Sequence, residues 1–357
     1  MKLDFCEVFD DYTSRCRKIP KEEYLSNGKY IVIDQGQNNI AGYTNIDDGL
    51  FEDVPAIVFG DHTRIIKYVD EPFFLGADGV KLLKSKIKDA NYKYLYYALR
   101  NARIPDTGYN RHFKWLKEIN LEYKDAESQK NIAKTLDTVT NIIELYKVEL
   151  SKLDNLIRAR FVEMFVSKNY PREELDNLSY GKGEYGAQSA SVEYNSSRPR
   201  YVRITDIKED GSLNDDVVCS ANVEDDELYK LEYGDFCFAR MGATVGKTYA
   251  YRGGNQIFAG YLIRYKLNLN RIIPEYLYEF TRLHEYRNWV SLNQSGAAQP
   301  GINAKKYGSL RIPVAPLEEQ RVFATFVEQV NKSKFEVQKA LDKAQLLFDS
   351  LMQKYFG

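Results

Sequence analysis

At 357 residues with a formal net charge of −1, the chain is long enough for two or three domains and carries no global basic signature. A nucleic-acid surface, if there is one, must be local, with acidic residues held elsewhere. Four cysteines (Cys6, Cys16, Cys219, Cys237) form no CxxC pair and three histidines (His62, His112, His284) are scattered; this argues against a metal site or a disulfide framework and for reduced thiols. Met1-Lys2-Leu3-Asp4 lacks the apolar core of a signal peptide, and no run approaches membrane-spanning length. The expected compartment is the cytoplasm, with no membrane partner.

Residues 1–124 are expected to form a mixed α/β globule. Tyr30-Ile31-Val32-Ile33 and Ala56-Ile57-Val58-Phe59 are strand-like runs separated by Asn-Gly, Gly-Gln-Asn-Asn and Asp-Asp-Gly turns. Tyr94, Leu95, Ala98 and Leu99 share a face of a helix over Tyr92 to Asn101. Residues 125–168 then form a long helix with Asp125 and Glu127 at the positive end of its dipole. Its apolar residues Ile132, Leu136, Val139, Ile143, Tyr146, Leu150, Leu153 and Ile157 alternate in steps of four and three, the heptad spacing of a single seam. Asn169-Tyr170-Pro171 stops it, because the residue before proline is pushed out of helical geometry.

Residues 169–315 repeat the plan. Tyr201-Val202-Arg203-Ile204 parallels the Tyr30 strand, Phe236-Cys237-Phe238 parallels Ile57-Val58-Phe59, and Pro274–Phe280 parallels Tyr92–Ala98. Residues 316–357 form the second long helix, with Pro316 in its first turn and the seam Phe323, Val327, Val330, Val337, Leu341, Ala344, Phe348, Leu351 and Tyr355, broken only by Lys334. The two helices share one register: partners differ by 191, as in Gln129 with Gln320 and Leu150 with Leu341. A long helix with one apolar stripe must bury that stripe, and the simplest partner for each is its twin. The expected fold is α+β: two mixed α/β globules joined by two long antiparallel coiled-coil helices, pseudo-twofold symmetric, roughly 60 Å long at 1.5 Å per residue.

Few segments suggest chemistry. Gly242-Ala243-Thr244-Val245-Gly246-Lys247-Thr248 falls one residue short of a phosphate loop, and Met241 occupies the required glycine position. A hairpin loop with exposed Thr244 and Lys247 is the better reading. Phe59-Gly60-Asp61-His62-Thr63-Arg64 occupies the equivalent place in the first globule, with no serine or cysteine nucleophile in a recognisable frame. Divergent polar loops at matched places favour recognition over catalysis, since duplicated catalysis would keep the chemistry alike. Gly108-Tyr109-Asn110-Arg111-His112-Phe113-Lys114 and the segment from Gln294 to Lys306, with Gln299, Asn303 and Lys305, precede the helices at matched positions. Amides and cations of this kind suit base edges and phosphates. Arg198, Arg200 and Arg203 form a cation cluster in the globule that also carries Arg240. Two other classes stay open: a two-headed scaffold whose loops bind peptide or glycan, and a hydrolase, for which no nucleophile–base or metal-ligand set is present in the sequence.

Tyr201-Val202-Arg203-Ile204-Thr205-Asp206-Ile207, the run Ala239 to Lys247 and the run Ala298 to Lys306 together resemble the specificity subunit of type I restriction–modification systems. The run Ile33 to Tyr43 (with Gln35, Asn38 and Asn39) and the run Phe59 to Arg64 (with His62, Thr63 and Arg64) look like one common class of its first recognition domain. Pro316-Leu317-Glu318-Glu319-Gln320 looks like the start of its distal helical region; the first helix lacks that proline. The resemblance spans essentially the whole chain. It implies a non-catalytic subunit that reads a split double-stranded DNA site with two recognition domains. It also implies two methyltransferase subunits docked on the helices, with restriction subunits joining them. S-adenosylmethionine, ATP and Mg²⁺ would then belong to those partners, with no cofactor in this chain.

Overall fold

A computed structural model describes residues 1–77, 79–108, 110–294 and 301–357. The chain divides into two compact units: unit 1 comprises Met1–Val148 and Gln338–Gly357, and unit 2 comprises Glu149–Val337. Each holds one globule and a length of each long helix.

Unit 1 begins with β1 (Lys2–Asp4), α1 (Phe5–Val8), β2 (Phe9–Asp11), β3 (Lys18–Ile19), β4 (Tyr30–Ile33) and β5 (Gly42–Thr44). Next come β6 (Ala56–Gly60), β7 (Ile66–Val69), β8 (Phe73–Gly76), β9 (Val80–Ser85), α2 (Tyr92–Arg100), α3 (Phe113–Leu116), β10 (Asn120–Glu122) and the long α4 (Ala126–Phe161). The strands make two four-stranded sheets, β2–β9–β6–β7 and β3–β8–β4–β5, and the pair β1–β10. β6 explains why its sequence is a continuous apolar run. Ile57 and Phe59 face the core shared with α2, whereas Ala56 and Val58 face the core of the second sheet with Ile33, Phe73 and Leu75. A strand buried on both faces cannot alternate apolar with polar.

Unit 2 contains β11 (Arg172–Glu174), β12 (Glu184–Tyr185), β13 (Ser191–Glu193), β14 (Arg200–Val202), β15 (Cys219–Ala221), β16 (Asp235–Ala239) and β17 (Thr248–Ala250). These are followed by β18 (Gln256–Phe258), β19 (Leu262–Lys266), α5 (Pro274–Phe280), α6 (His284–Asn293), α7 (Ala304–Gly308), β20 (Arg311–Pro313) and α8 (Leu317–Phe356). The sheet β12–β19–β16–β17 has the order of β2–β9–β6–β7, and the parallel pair β14–β18 matches the parallel pair β4–β8. β16 divides its faces as β6 does: Phe236 and Phe238 face the helical core, Cys237 and Ala239 the other. The three matches expected from sequence therefore hold: β14 with β4, β16 with β6, α5 with α2. The segment after Val245 runs into strand β17, not into a helix, as expected of a hairpin rather than a phosphate loop.

The long helices bury their stripes in two places. In unit 1, Ile132, Leu136, Val139 and Ile143 of α4 share a core with Tyr94, Leu95 and Tyr97 of α2 and with Phe348 and Met352 of α8. In unit 2, Ile157 and Phe161 of α4 share a core with Tyr276 and with Phe323, Val327 and Val330 of α8. The seam is thus buried where a globule core closes over it. Leu150 and Leu153 of α4, and Val337, Leu341 and Leu351 of α8, are only half-buried. The stripe buries against globule as well as twin, which the heptad pattern alone did not distinguish. Lys334, the one break in the seam, has its Nζ 2.6 Å from Asp154 Oδ1 in unit 2. Past Phe161, α4 continues through a π-helical turn, Val162–Val166, and the chain leaves helical geometry before Pro171.

The shared glutamine register also has a physical basis. Asp125 caps α4, accepting from Ser128 N at 2.9 Å, and the buried Gln129 donates to Lys124 O at 2.8 Å. Gln320, fully buried near the start of α8, accepts from Ile273 N at 3.1 Å and donates to Arg271 O at 3.0 Å and Ala315 O at 2.8 Å.

Candidate nucleic-acid interface

In unit 1 three loops meet: the one after β4, the β6–β7 turn and the one before α3. His62 N donates to Gln35 Oε1 at 3.2 Å and Thr63 Oγ1 to Gln35 O at 2.8 Å. His62 Nδ1 lies 3.2 Å from Asn110 O, and Phe113 N donates to Asp61 Oδ1 at 2.7 Å. Lys67, buried on β7, supports the first loop from below, its Nζ 2.6 Å from Asn38 O and 3.5 Å from Asp34 Oδ1. Burial lowers the Lys67 pKa, against the pull of Asp34. The result is a polar surface on which Asn38, Asn39, Thr63, Asn110, Arg111 and Lys114 are exposed.

Two residues expected on that surface play other parts. His112 is fully buried; its Nδ1 lies 3.0 Å from Asp61 O and its ring packs tilted against Trp115. An imidazole without surface cannot reach a base, so His112 is a core residue. Arg64 sits in the left-handed region (φ 62°), uncommon for a side chain of its size, and spends its guanidinium on Asp106 (2.7 Å) and Ile104 O (3.4 Å). Hydrogen bonds from Gly108 N and Arg64 hold the Asp106 carboxyl below its ordinary range. Tyr109 lies outside the described residues.

Unit 2 brings the same three loop positions together: the loop after β14, the β16–β17 hairpin and the segment before α7. Ile302 N donates to Arg240 O at 2.9 Å, and Met241 and Gly301 form a bridge. Lys247 Nζ reaches across to Glu209 at 2.6 Å and Ile207 O at 3.4 Å. The arginine cluster splits. Arg203 grips Asp206 through Nε and Nη2 (2.8–3.2 Å), a pairing that raises its pKa further. Arg200 holds Asp215 at 2.6 Å and Asn214 O at 2.5 Å. Both shape the loop after β14 instead of presenting charge. Thr244, half-buried, donates to Met241 O at 3.2 Å, and Lys247 is half-buried too, so neither is the freely exposed group expected of it. Asn303 caps α7 by accepting from Lys306 N at 3.0 Å. Arg198 and Lys305 are exposed. Gln299 lies outside the described residues.

Arg240 is half-buried and, among the described residues, is held without an opposing charge. Its Nε donates to Gly260 O at 3.1 Å, and its guanidinium lies 5.0 Å from the Tyr185 ring centroid and 5.8 Å from that of Tyr261. Both tyrosines are exposed, and among the described residues Arg240 has no carboxylate partner. Such aromatic flanks fix a cation without neutralising it. Tyr185 comes from β12 and Tyr261 from the turn just before β19, and no local motif marks them. Among the described residues no group of His, Cys, Asp and Glu side chains could hold a metal ion, and no helix is long and apolar enough to cross a membrane.

The comparisons with known proteins agree with this geometry. The sequence model described as the type I restriction modification DNA specificity domain matches residues 3–155 and again 182–346, so each globule carries one copy. No curated protein sequence matches. Among solved structures, the type I restriction–modification system S subunit from M. genitalium is similar over 100% of this chain and 96% of that one, at 18% identity and TM-score 0.61. A chain from a structure describing complex assembly and conformational transition of the type I R-M system is similar over 100% of this chain and 97% of that one, at 14% identity and TM-score 0.51. At these identities the likeness speaks for the fold, and the family rests on the sequence match. The chain belongs to the type I restriction–modification DNA specificity family, as a DNA-recognition subunit and not an enzyme.

Proposed function

We propose that each unit reads one half of a bipartite DNA site, and that α4 and α8 set the gap between the halves and dock two methyltransferase subunits, which restriction subunits then join. The observation that carries this reading is the convergence of the same three loop positions in both units, with different side chains at their tips. Equivalent scaffolds with unlike polar tips suit two different short sequences. One globule discriminates weakly, since each mismatched base pair costs about 1–3 kcal/mol; two joined heads combine their contacts at high effective concentration. Docking on the helices is supported by apolar side chains left exposed there: Leu145 and Leu346 in unit 1, Leu156 and Phe335 in unit 2. S-adenosylmethionine, ATP and Mg²⁺ are assigned to those partners, and the assembly to the cytoplasm.

The near-neutral charge of the chain adds a condition: the methyltransferase subunits supply much of the grip on the DNA backbone. Anisotropy titrations of a target duplex against the chain alone and the chain with its methyltransferase subunits should show tighter binding by the assembly, with affinity falling steeply as salt rises. Salt-independent binding by the assembly would overturn the reading, and equal affinity of chain and assembly would overturn the condition.

A further inference from the structure

Unit 2 carries a helix for which the described residues of unit 1 show no counterpart: α6, between α5 and α7. It is a seat for the β16–β17 hairpin. The fully buried Tyr286 donates from its hydroxyl to Gly246 O at 2.9 Å. Gly246 has φ +86°, and a Cβ there would lie 2.9 Å from both methyl groups of Val290. Only glycine lets the hairpin come down onto the helix this closely.

Between hairpin, α6 and the loop after β14 lies an open cleft of about 440 Å³. Arg287 and Ser291, four apart on one face of α6, line it together with Gln294 just past the helix end and with Lys208, Lys247 and Arg282. Among the described lining residues, Glu209 is the sole carboxylate, and it pairs with Lys247 at 2.6 Å. Arg282 is held by Glu209 O at 2.9 Å and the Tyr278 hydroxyl at 2.6 Å, neither of which neutralises it. Lys208 and Arg287 are exposed and have no carboxylate partner among the described residues. In a chain whose net charge is −1, this is a local excess of positive charge beside a loop proposed to read bases.

We propose that this cleft takes the sugar–phosphate backbone of duplex DNA, with Arg287 and Lys208 as direct phosphate contacts and Ser291 and Gln294 as neutral donors along the same strand. The inference rests on the DNA-reading function proposed above. It gives unit 2 a positioning surface that carries no sequence information and fixes the register in which the hairpin meets the bases.

The test uses the full chain assembled with its methyltransferase subunits, titrated against its target duplex over a range of KCl. Arg287→Ala and Lys208→Ala should each weaken binding and make the log–log salt dependence shallower by about 0.9, and the double variant by about twice that. Arg287→Lys should restore the slope, and the methylated sequence should stay the same in every variant. Both positions are exposed, so thermal unfolding should match wild type. Wild-type binding with unchanged affinity and slope in the double variant would overturn the cleft assignment alone. A wild-type assembly with no affinity for duplex DNA would overturn the function on which it rests, and the assignment with it.

Discussion

Replacing Arg264 by methionine should destabilise unit 2 by about 3–5 kcal/mol, the cost of leaving a buried charge without its partner. Arg264 on β19 is 4% exposed. Its Nη1 donates to Lys230 O at 2.6 Å and lies 3.6 Å from the equally buried Asp235, while Nε meets Glu184 at 3.0 Å. It therefore ties β12, β16 and the turn before β16 to one side chain. Burial already raises the Asp235 carboxyl above its ordinary value, with Arg264 among the groups opposing that rise. Without Arg264 the rise grows. A carboxyl whose folded pKa exceeds its unfolded one costs stability above the folded pKa, and the cost fades as pH falls through it. The loss in Arg264→Met should accordingly shrink on acidification, and Asp235→Asn should recover part of it at neutral pH. Urea unfolding followed through Trp289 in a Trp115→Phe background reads unit 2 by itself, since these are the chain's two tryptophans. A loss below about 1 kcal/mol, or one that grows in acid, would contradict this account.

Gln320→Leu should cost about 3 kcal/mol or more. Leucine fills the space but leaves the buried Ile273 N and Ala315 O, and the part-buried Arg271 O, without the partner that Gln320 provides, and each buried orphan costs about 1–3 kcal/mol. Its register partner Gln129 donates to one carbonyl, Lys124 O, so Gln129→Leu should cost about 1–3 kcal/mol. The same unfolding experiment, with Trp115 reporting unit 1 and Trp289 unit 2, compares the two. Equal losses would mean that the shared register reflects repetition and not the bonds these side chains make.

Those two glutamines show what the sequence discloses and what it withholds. Their common spacing is legible as a repeat, because helices and buried strands write their geometry into local periods of 3.6 and 2. The helices α2, α4, α5 and α8 follow from such a period, whereas β4, β6, β14 and β16 are legible as short apolar, β-branched and aromatic runs between turns. The helix α6 is harder to read, though Tyr286, Trp289 and Val290 carry its spacing, because it spans only ten residues. Site residues are a different matter. Whether an arginine is free or spent depends on a carboxylate that folding brings near: Asp106 for Arg64, Asp215 for Arg200. Neither distance along the chain nor residue type marks that pairing. Asp206 lies close to Arg203 and could have been suspected; the burial of His112 and the two tyrosines beside Arg240 could not.

If α4 and α8 measure the gap between two half-sites, shortening both should shorten that gap. The experiment deletes one heptad from α4 and its register-matched heptad from α8 and maps methylated adenines in cells that express the chain with its methyltransferase subunits. Seven residues shorten a helix by about 10 Å, close to three base-pair steps of 3.4 Å. The same two half-site sequences should then be methylated across a shorter gap. Methylation at an unchanged gap, or at one continuous sequence, would contradict that role of the helices.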